Sequence, residues 1–177
     1  MEPTTHRLGP DNATLSVLTG RAGAAARAGH DLVIHVTSWE ATLVLAEDPT
    51  ETTVELNADA TSLRVQEGSG GIKALGDGDK SSIQQTIDSD VLKRKDITFR
   101  STQVRSAADG RRLSVAGELT LVGKARPVTF DLAVDDDGAI SGSSVVTQTA
   151  WGMKPYSALF GRLKVADDVE VVIDGHL

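Results

Sequence analysis

Histidine titrates nearest to neutral pH and is the commonest metal ligand, so the chain's chemistry is sought first at its four histidines. Two of them, His30 and His35, stand in ARAGHDLVIHVTSWEATLVL, residues 26–45. Side chains at odd separations point to opposite faces of a strand, and a five-residue step spans about 17 Å. The pair cannot hold one metal ion. His30 shares its face with Leu32, Ile34 and Val36, and His35 shares the other with Asp31, Val33 and Thr37. Adjacent His30 and Asp31 also diverge, which makes them a poor acid-base dyad. His6 and His176 lie near the two ends, the chain has no cysteine, and it carries no H-E-x-x-H, C-x-x-C or G-x-S-x-G pattern. The expectation is no catalytic residue, no metal and no cofactor. His30, just after Gly29, reads as a structural or entrance residue.

Two glycine- and aspartate-rich stretches invite other chemistry and do not supply it. EGSGGIKALGDGDKS would need Lys at the seventh position of a phosphate loop begun at Gly71, and Asp77 stands there. It reads as a flexible connector near 67–80. VDDDGAIS lacks the alternating acidic ligands and closing Glu of a calcium loop, and its Asp-Gly step between two strand patterns reads as a hairpin turn.

The elements that would position these residues are written in a period of two. In RRLSVAGELTL one face carries Leu113, Val115, Gly117, Leu119 and Leu121. In RPVTFDLAVD it carries Val128, Phe130, Leu132 and Val134. The short VGKA connection makes the pair an antiparallel hairpin with one apolar and one wet face. TVELNADA, DITFRSTQV and DDVEVVID repeat the pattern, as do residues 14–19, 32–36, 40–46 and 140–148. The apolar parity switches between LVIHV and WEATLVL, which places a turn at Thr37–Ser38. Eight to ten strands at this spacing make an all-β sandwich or barrel. DKSSIQQTIDSDVLKRK alone reads as a longer helix, with Ile83, Ile87 and Val91 on one stripe and a capping box at Ser81/Gln84 or Ser82/Gln85. A short helical turn is expected at PYSALFG.

With 177 residues, the chain is long enough for one domain, 1–177, burying about 70% of its unfolded surface. A net charge of −7, with only two Trp, one Tyr and three Phe, argues against nucleic acid. No apolar run approaches the length of a transmembrane helix, and MEPTTHRLGP has no export-signal pattern, so a cytoplasmic location is expected.

Four segments together resemble the YceI-like family: GHDLVIHV after an Ala/Gly-rich lead-in, DSDVLKRKDITFRSTQV, VAGELTLVGKARPVTFDL and LKVADDVEVVID. They occur in the family's order and spacing and span nearly the whole chain. Related sequences often read Gly-His-Asp-His where this chain has Leu32, and a proline commonly stands where Lys95 and Asp96 do. Many relatives of this bacterial family are periplasmic, and that location is not carried over. The resemblance implies an extended antiparallel lipocalin-like β-barrel of about eight strands whose apolar lumen in some members holds an isoprenoid chain.

An eight-stranded barrel is just wide enough to be filled by side chains or to admit one slender ligand. Small residues such as Ala58, Ala60 and Gly117 leave room if they face inward. Burial of about 15 carbons contributes roughly 12 kcal/mol against an association cost of about 4 to 15, so firm binding calls for a longer tail. Candidate lumen or entrance residues are His30, Leu32, Ile34, Ala58, Phe99, Gly117, Leu119, Phe130, Trp151, Tyr156 and Phe160. Trp151, Met153, Tyr156, Leu159 and Phe160 form either a core plug or a lid, and Lys154 and Arg162 could meet an anionic head group. The leading reading is a non-enzymatic carrier or sequestering protein for a long-chain apolar, isoprenoid-like partner. Its alternatives are a filled barrel acting through its surface in a structural or stress-related role, and an enzyme using His30 as acid or base. The oligomeric state stays open, a dimer included.

Overall fold

The computed structural model of the chain describes residues 2–22, 31–69, 76–108, 112–158 and 163–177. Strands form where the apolar and polar residues alternate. β1 (Thr4–Leu8), β2 (Ala13–Ala22), β3 (Asp31–Val36), β4 (Trp39–Leu45), β5 (Thr53–Ala58) and β6 (Leu63–Ser69) precede the helix α1 (Asp77–Thr86). β7 (Ile97–Ser106), β8 (Arg112–Leu121), β9 (Lys124–Val134), β10 (Ala139–Thr147), β11 (Ser157–Ala158) and β12 (Leu163–His176) follow it. The alternation is literal in β3, where Leu32, Ile34 and Val36 are buried and Asp31, Val33 and His35 only half so.

The first six strands are three long strands bent at one corner. Leu8 lies opposite Ala41 and Ser16 opposite His35, so β1 and β2 together track β4 and β3. Trp39 lies opposite Ala58 and Val36 opposite Leu63, so β4 and β3 likewise track β5 and β6. At the bend the Thr37 N–H donates to the Ser62 carbonyl at 2.9 Å, and the Asp59 N–H donates to the Ser38 carbonyl at 3.0 Å. The parity switch at Thr37–Ser38 is therefore a corner in a continuing strand, where the sheet folds over, and not a reversal. The remaining pairings are all antiparallel: β5 with β7, then β8, β9, β10 and β12 in turn, and β12 back to β2. Counted as bent units, the described residues make an eight-stave antiparallel barrel in which each stave pairs with the next. This is the all-β lipocalin-like architecture.

Past the corner, β6 pairs among the described residues with β3 alone. Its outer edge is met by α1: the Val65 N–H donates to the Gln84 side-chain oxygen at 3.0 Å, and the Lys80 ammonium donates to the Gln66 carbonyl at 3.2 Å. The helix thus stands in for strand on that edge. It begins earlier than its sequence pattern predicts. Gly76 is the cap residue, and Asp79, not Gln84 or Gln85, reaches back to accept from the Gly76 N–H at 3.1 Å. It widens into a π-turn at Ile87–Val91, and Lys93 and Arg94 follow with φ of 53° and 54°.

Two expected boundaries change. The connector predicted near 67–80 loses both ends, because β6 runs to Ser69 and α1 starts at Asp77; residues 70–75 lie outside the described residues. The helical turn expected at PYSALFG is instead extended at Ser157–Ala158, which pairs with Lys164 and Leu163, since that ladder satisfies backbone groups a single turn leaves open. Short 3₁₀ turns occur at Pro49–Glu51, Ala60–Ser62 and Gln148–Trp151.

Candidate functional site

The inward residues of the staves and the apolar stripe of the helix line a partly open cavity of about 250 Å³. Most strands supply it through one parity: Leu32 and Ile34 from β3, Leu56 and Ala58 from β5, Leu119 and Leu121 from β8, Val128, Phe130 and Leu132 from β9; β10 adds Ser143 from its other parity to Gly142, Ser144 and Val146. Ile83, Ile87 and Val91 come from the helical segment at the i, i+4, i+8 spacing that puts them on one face. Among the described residues no Asp, Glu, Lys, Arg or His lines this space. An unpaired charge here would carry a desolvation cost with no partner to offset it.

Among the described lining residues polarity is confined to a few neutral groups: Thr19, Ser143, Ser144, Gln148 and Tyr156. Thr19 lies opposite Val169, which lies opposite Val146, so most of these groups share the wall made by β2, β12 and β10. The Thr19 hydroxyl accepts from the Leu32 N–H at 3.1 Å, and the buried Gln148 amide donates to the Ala166 carbonyl at 3.1 Å. Close by the helix stripe, burial raises the Asp88 carboxyl above the usual Asp range, against the opposing pull of Arg64 and Arg94.

Of the residues singled out from sequence, Leu32, Ile34, Ala58, Phe99, Leu119, Phe130 and Tyr156 line the cavity. Gly117 and Trp151 are buried but do not line it. Gly117 does not open space to the lumen, because the Phe99 ring fills the position its side chain would take. Trp151 is anchored in the wall, its indole N–H donating to the Leu119 carbonyl at 2.9 Å. Met153, also from the irregular aromatic stretch, does reach the cavity. His30 and Phe160 lie outside the described residues, as do Leu159 and Arg162. Sequence reasoning did not assign the helix stripe or the polar groups of β10 to the lumen. The stripe's spacing was visible, but nothing in a single sequence says which sheet face a helix will cover.

The arrangement can desolvate a hydrocarbon and offer one neutral hydrogen-bonding end. An apolar cavity of 150 Å³ already accommodates benzene, while drug-sized ligands occupy about 300–1,000 Å³. A space of about 250 Å³ thus encloses a stretch of chain or ring rather than a long molecule entire.

A YceI-like domain model matches residues 11–177. No curated protein matches the chain by sequence. Among solved structures, Burkholderia cenocepacia BcnA aligns over 92% of this chain and 94% of its own, with 20% identity and a TM-score of 0.67. A polyisoprenoid-binding domain from Saccharophagus degradans, implicated in plant cell wall breakdown, aligns over 99% and 100%, with 8% identity and a TM-score of 0.56. The Campylobacter jejuni YceI protein aligns over 81% and 82%, with 16% identity and a TM-score of 0.54. At these identities the likeness is one of fold.

Proposed function

Because the chain belongs to the YceI-like domain family, we propose that it binds, without catalysis, a slender apolar molecule of isoprenoid type in the barrel lumen, to carry or sequester it. The observation that carries this reading is the cavity itself: about 250 Å³ lined by aliphatic and aromatic side chains, with no charged group among the described lining residues. Such a space rewards hydrocarbon burial at about 0.8 kcal/mol per methylene and penalises ions. The neutral groups on the β2–β12–β10 wall suit an uncharged polar end such as an alcohol or a quinone carbonyl. The Saccharophagus degradans domain, described as polyisoprenoid-binding, adds support through the shared fold.

Mass spectrometry of an organic extract from protein purified without detergent tests the proposal. It should return an apolar molecule in stoichiometric amount. Protein stripped of that molecule should melt at higher temperature when a long isoprenoid alcohol is added, since a ligand that binds only the folded state stabilises it by mass action. Leu119→Ala with Phe130→Ala should lower stability by about 2 to 5 kcal/mol for each change. A lipid-free protein whose melting ignores the alcohol would leave the filled-barrel alternative standing instead.

A further inference from the structure

The wall of the barrel is not laddered everywhere. β9 and β10 pair over only Asp131–Val134 and Ile140–Ser143, although β9 extends down to Lys124 and β10 on to Thr147. Below that point each strand keeps its other neighbour, β8 for β9 and β12 for β10, but the two do not bond to one another. The sequence supplies a reason. Leu121 and Lys124 flank the two-residue turn Val122–Gly123 and form a hydrogen-bonded pair, so alternation makes Glu118 and Pro127 a non-hydrogen-bonded one. The backbone nitrogen of Pro127 thereby faces β10, and it has no hydrogen to donate.

The split falls over the lumen. Val128 and Phe130 of β9 and Ser144 and Val146 of β10, which flank the split, line the internal cavity. Thr129 and Phe130 also line an open groove on the outer face, which runs on over the laddered pairs Asp131–Ser143 and Ala133–Ser141 towards Glu170. Ser143 is exposed on that face yet still borders the cavity, and Phe130, beside it, is only half-buried. Phe130 leans on Phe99 inside, with ring centroids 5.5 Å apart and planes tilted by 59°. Val145, 63% exposed, stands on the outer lip.

We propose that the β9–β10 split is a lateral portal, through which an uncharged hydrocarbon chain passes sideways between the lumen and the outer groove, with Phe130 as its gate. This rests on the lumen-binding reading above and deepens it. A cavity too small to enclose a long chain entire then holds one segment while the rest leaves through the wall, its polar end meeting Ser143 and the hydrated rim of the groove. An aromatic ring on a partly exposed site can turn aside without breaking any ladder bond, whereas opening a laddered part of the wall costs several.

The chain has no cysteine, so two can be added without competition. Thr129→Cys with Val145→Cys places thiols on two exposed positions that would lie opposite one another if the register continued across the split. A bifunctional maleimide long enough to span them then staples the portal shut. The probe is N-phenyl-1-naphthylamine, an uncharged dye that brightens in apolar surroundings, and the readout is both the rate and the final level of its fluorescence. The unstapled protein should take up the dye, and the stapled protein should reach the same final level at least about tenfold more slowly, as expected for a gated step. An unchanged rate with the staple verified by mass overturns the portal and leaves lumen binding intact. No uptake by the unstapled protein overturns both. Ser144→Phe, which thickens the split from its lumen side, should slow entry without any cross-link, so the answer does not depend on the double variant alone.

Discussion

The ring of Phe99 lies where a side chain at Gly117 would have to stand: a Cβ there would be 2.5 Å from Phe99 Cζ and 2.8 Å from Cε2, with the Arg100 carbonyl closer still. One of these obstacles is backbone and cannot swing aside. Gly117→Ala should therefore destabilise the barrel by about 1–3 kcal/mol through overpacking. Denaturant unfolding measures it, and an unchanged midpoint would mean that the β7 backbone at Arg100 and the Phe99 ring both give way.

The turn between β8 and β9 sets Val122 at φ 47° and Gly123 at φ 78°. Both central residues of such a turn need positive φ, which glycine and asparagine tolerate and a β-branched residue does not. Val122→Asn should relieve about 1–2 kcal/mol of backbone strain and raise the melting temperature by a few degrees, less whatever Val122 contributes by packing on the core. A lower melting temperature would show that the packing outweighs the strain.

Asp88 has one carboxylate oxygen buried with no hydrogen-bond partner among the described residues. Burial is the largest influence on the group and raises its pKa. The folded protein thus keeps this proton to higher pH than the unfolded chain, so stability falls as pH rises from about 3.9 through the folded value and stays lower above it. Asp88→Asn should raise the melting temperature at neutral pH, and the gain should shrink as the buffer is taken down towards pH 4. A pH-independent difference would assign the effect to something other than titration.

Trp151→Phe removes the donor that reaches the Leu119 carbonyl at 2.9 Å inside the wall. The Leu119 carbonyl keeps its ladder donor, because Leu119 and Arg126 form a hydrogen-bonded pair, so the cost should be about 0.5–1.5 kcal/mol, the net contribution of one hydrogen bond. Thermal melting of the variant measures it. An unchanged melting temperature would mean that the indole donor adds nothing to the ladder bond.

Period-two alternation made the strands legible, because burial on one face of a sheet writes directly into every second residue. It also located the corner at Thr37–Ser38, yet not its nature: a reversal and a bend both switch parity, and only the pairing of Trp39 with Ala58 and Val36 with Leu63 separates them. The helix was visible in Ile83, Ile87 and Val91, but its start was not, since Gly76 with Asp79 is a weaker written cap than the serines that follow. Within the site, parity identified Leu119 and Phe130 as inward residues. It failed at Gly117, where emptiness in sequence is occupancy in space: the Phe99 ring on the adjacent strand decides what a missing side chain means. The split between β9 and β10 depends on Pro127 and on a register fixed by a turn elsewhere, which no local pattern carries.

Each stave pairs with its neighbour in sequence except at one place, where β12 meets β2 and Gly175 lies opposite Ala13. That ladder joins the two extremes of the chain, and the His176 N–H donating to the Asn12 carbonyl at 3.0 Å is its last stitch. During synthesis the first seven staves emerge before their closing partner, as a curled ribbon with bare rims at β2 and β10 and its oily concave side open to water. Contacts of such wide sequence separation form slowly, and unpaired rims recruit other chains. The interval before closure is thus the stretch of this protein's life in which it is most exposed to aggregation, and an apolar molecule settled early in the trough would shorten it.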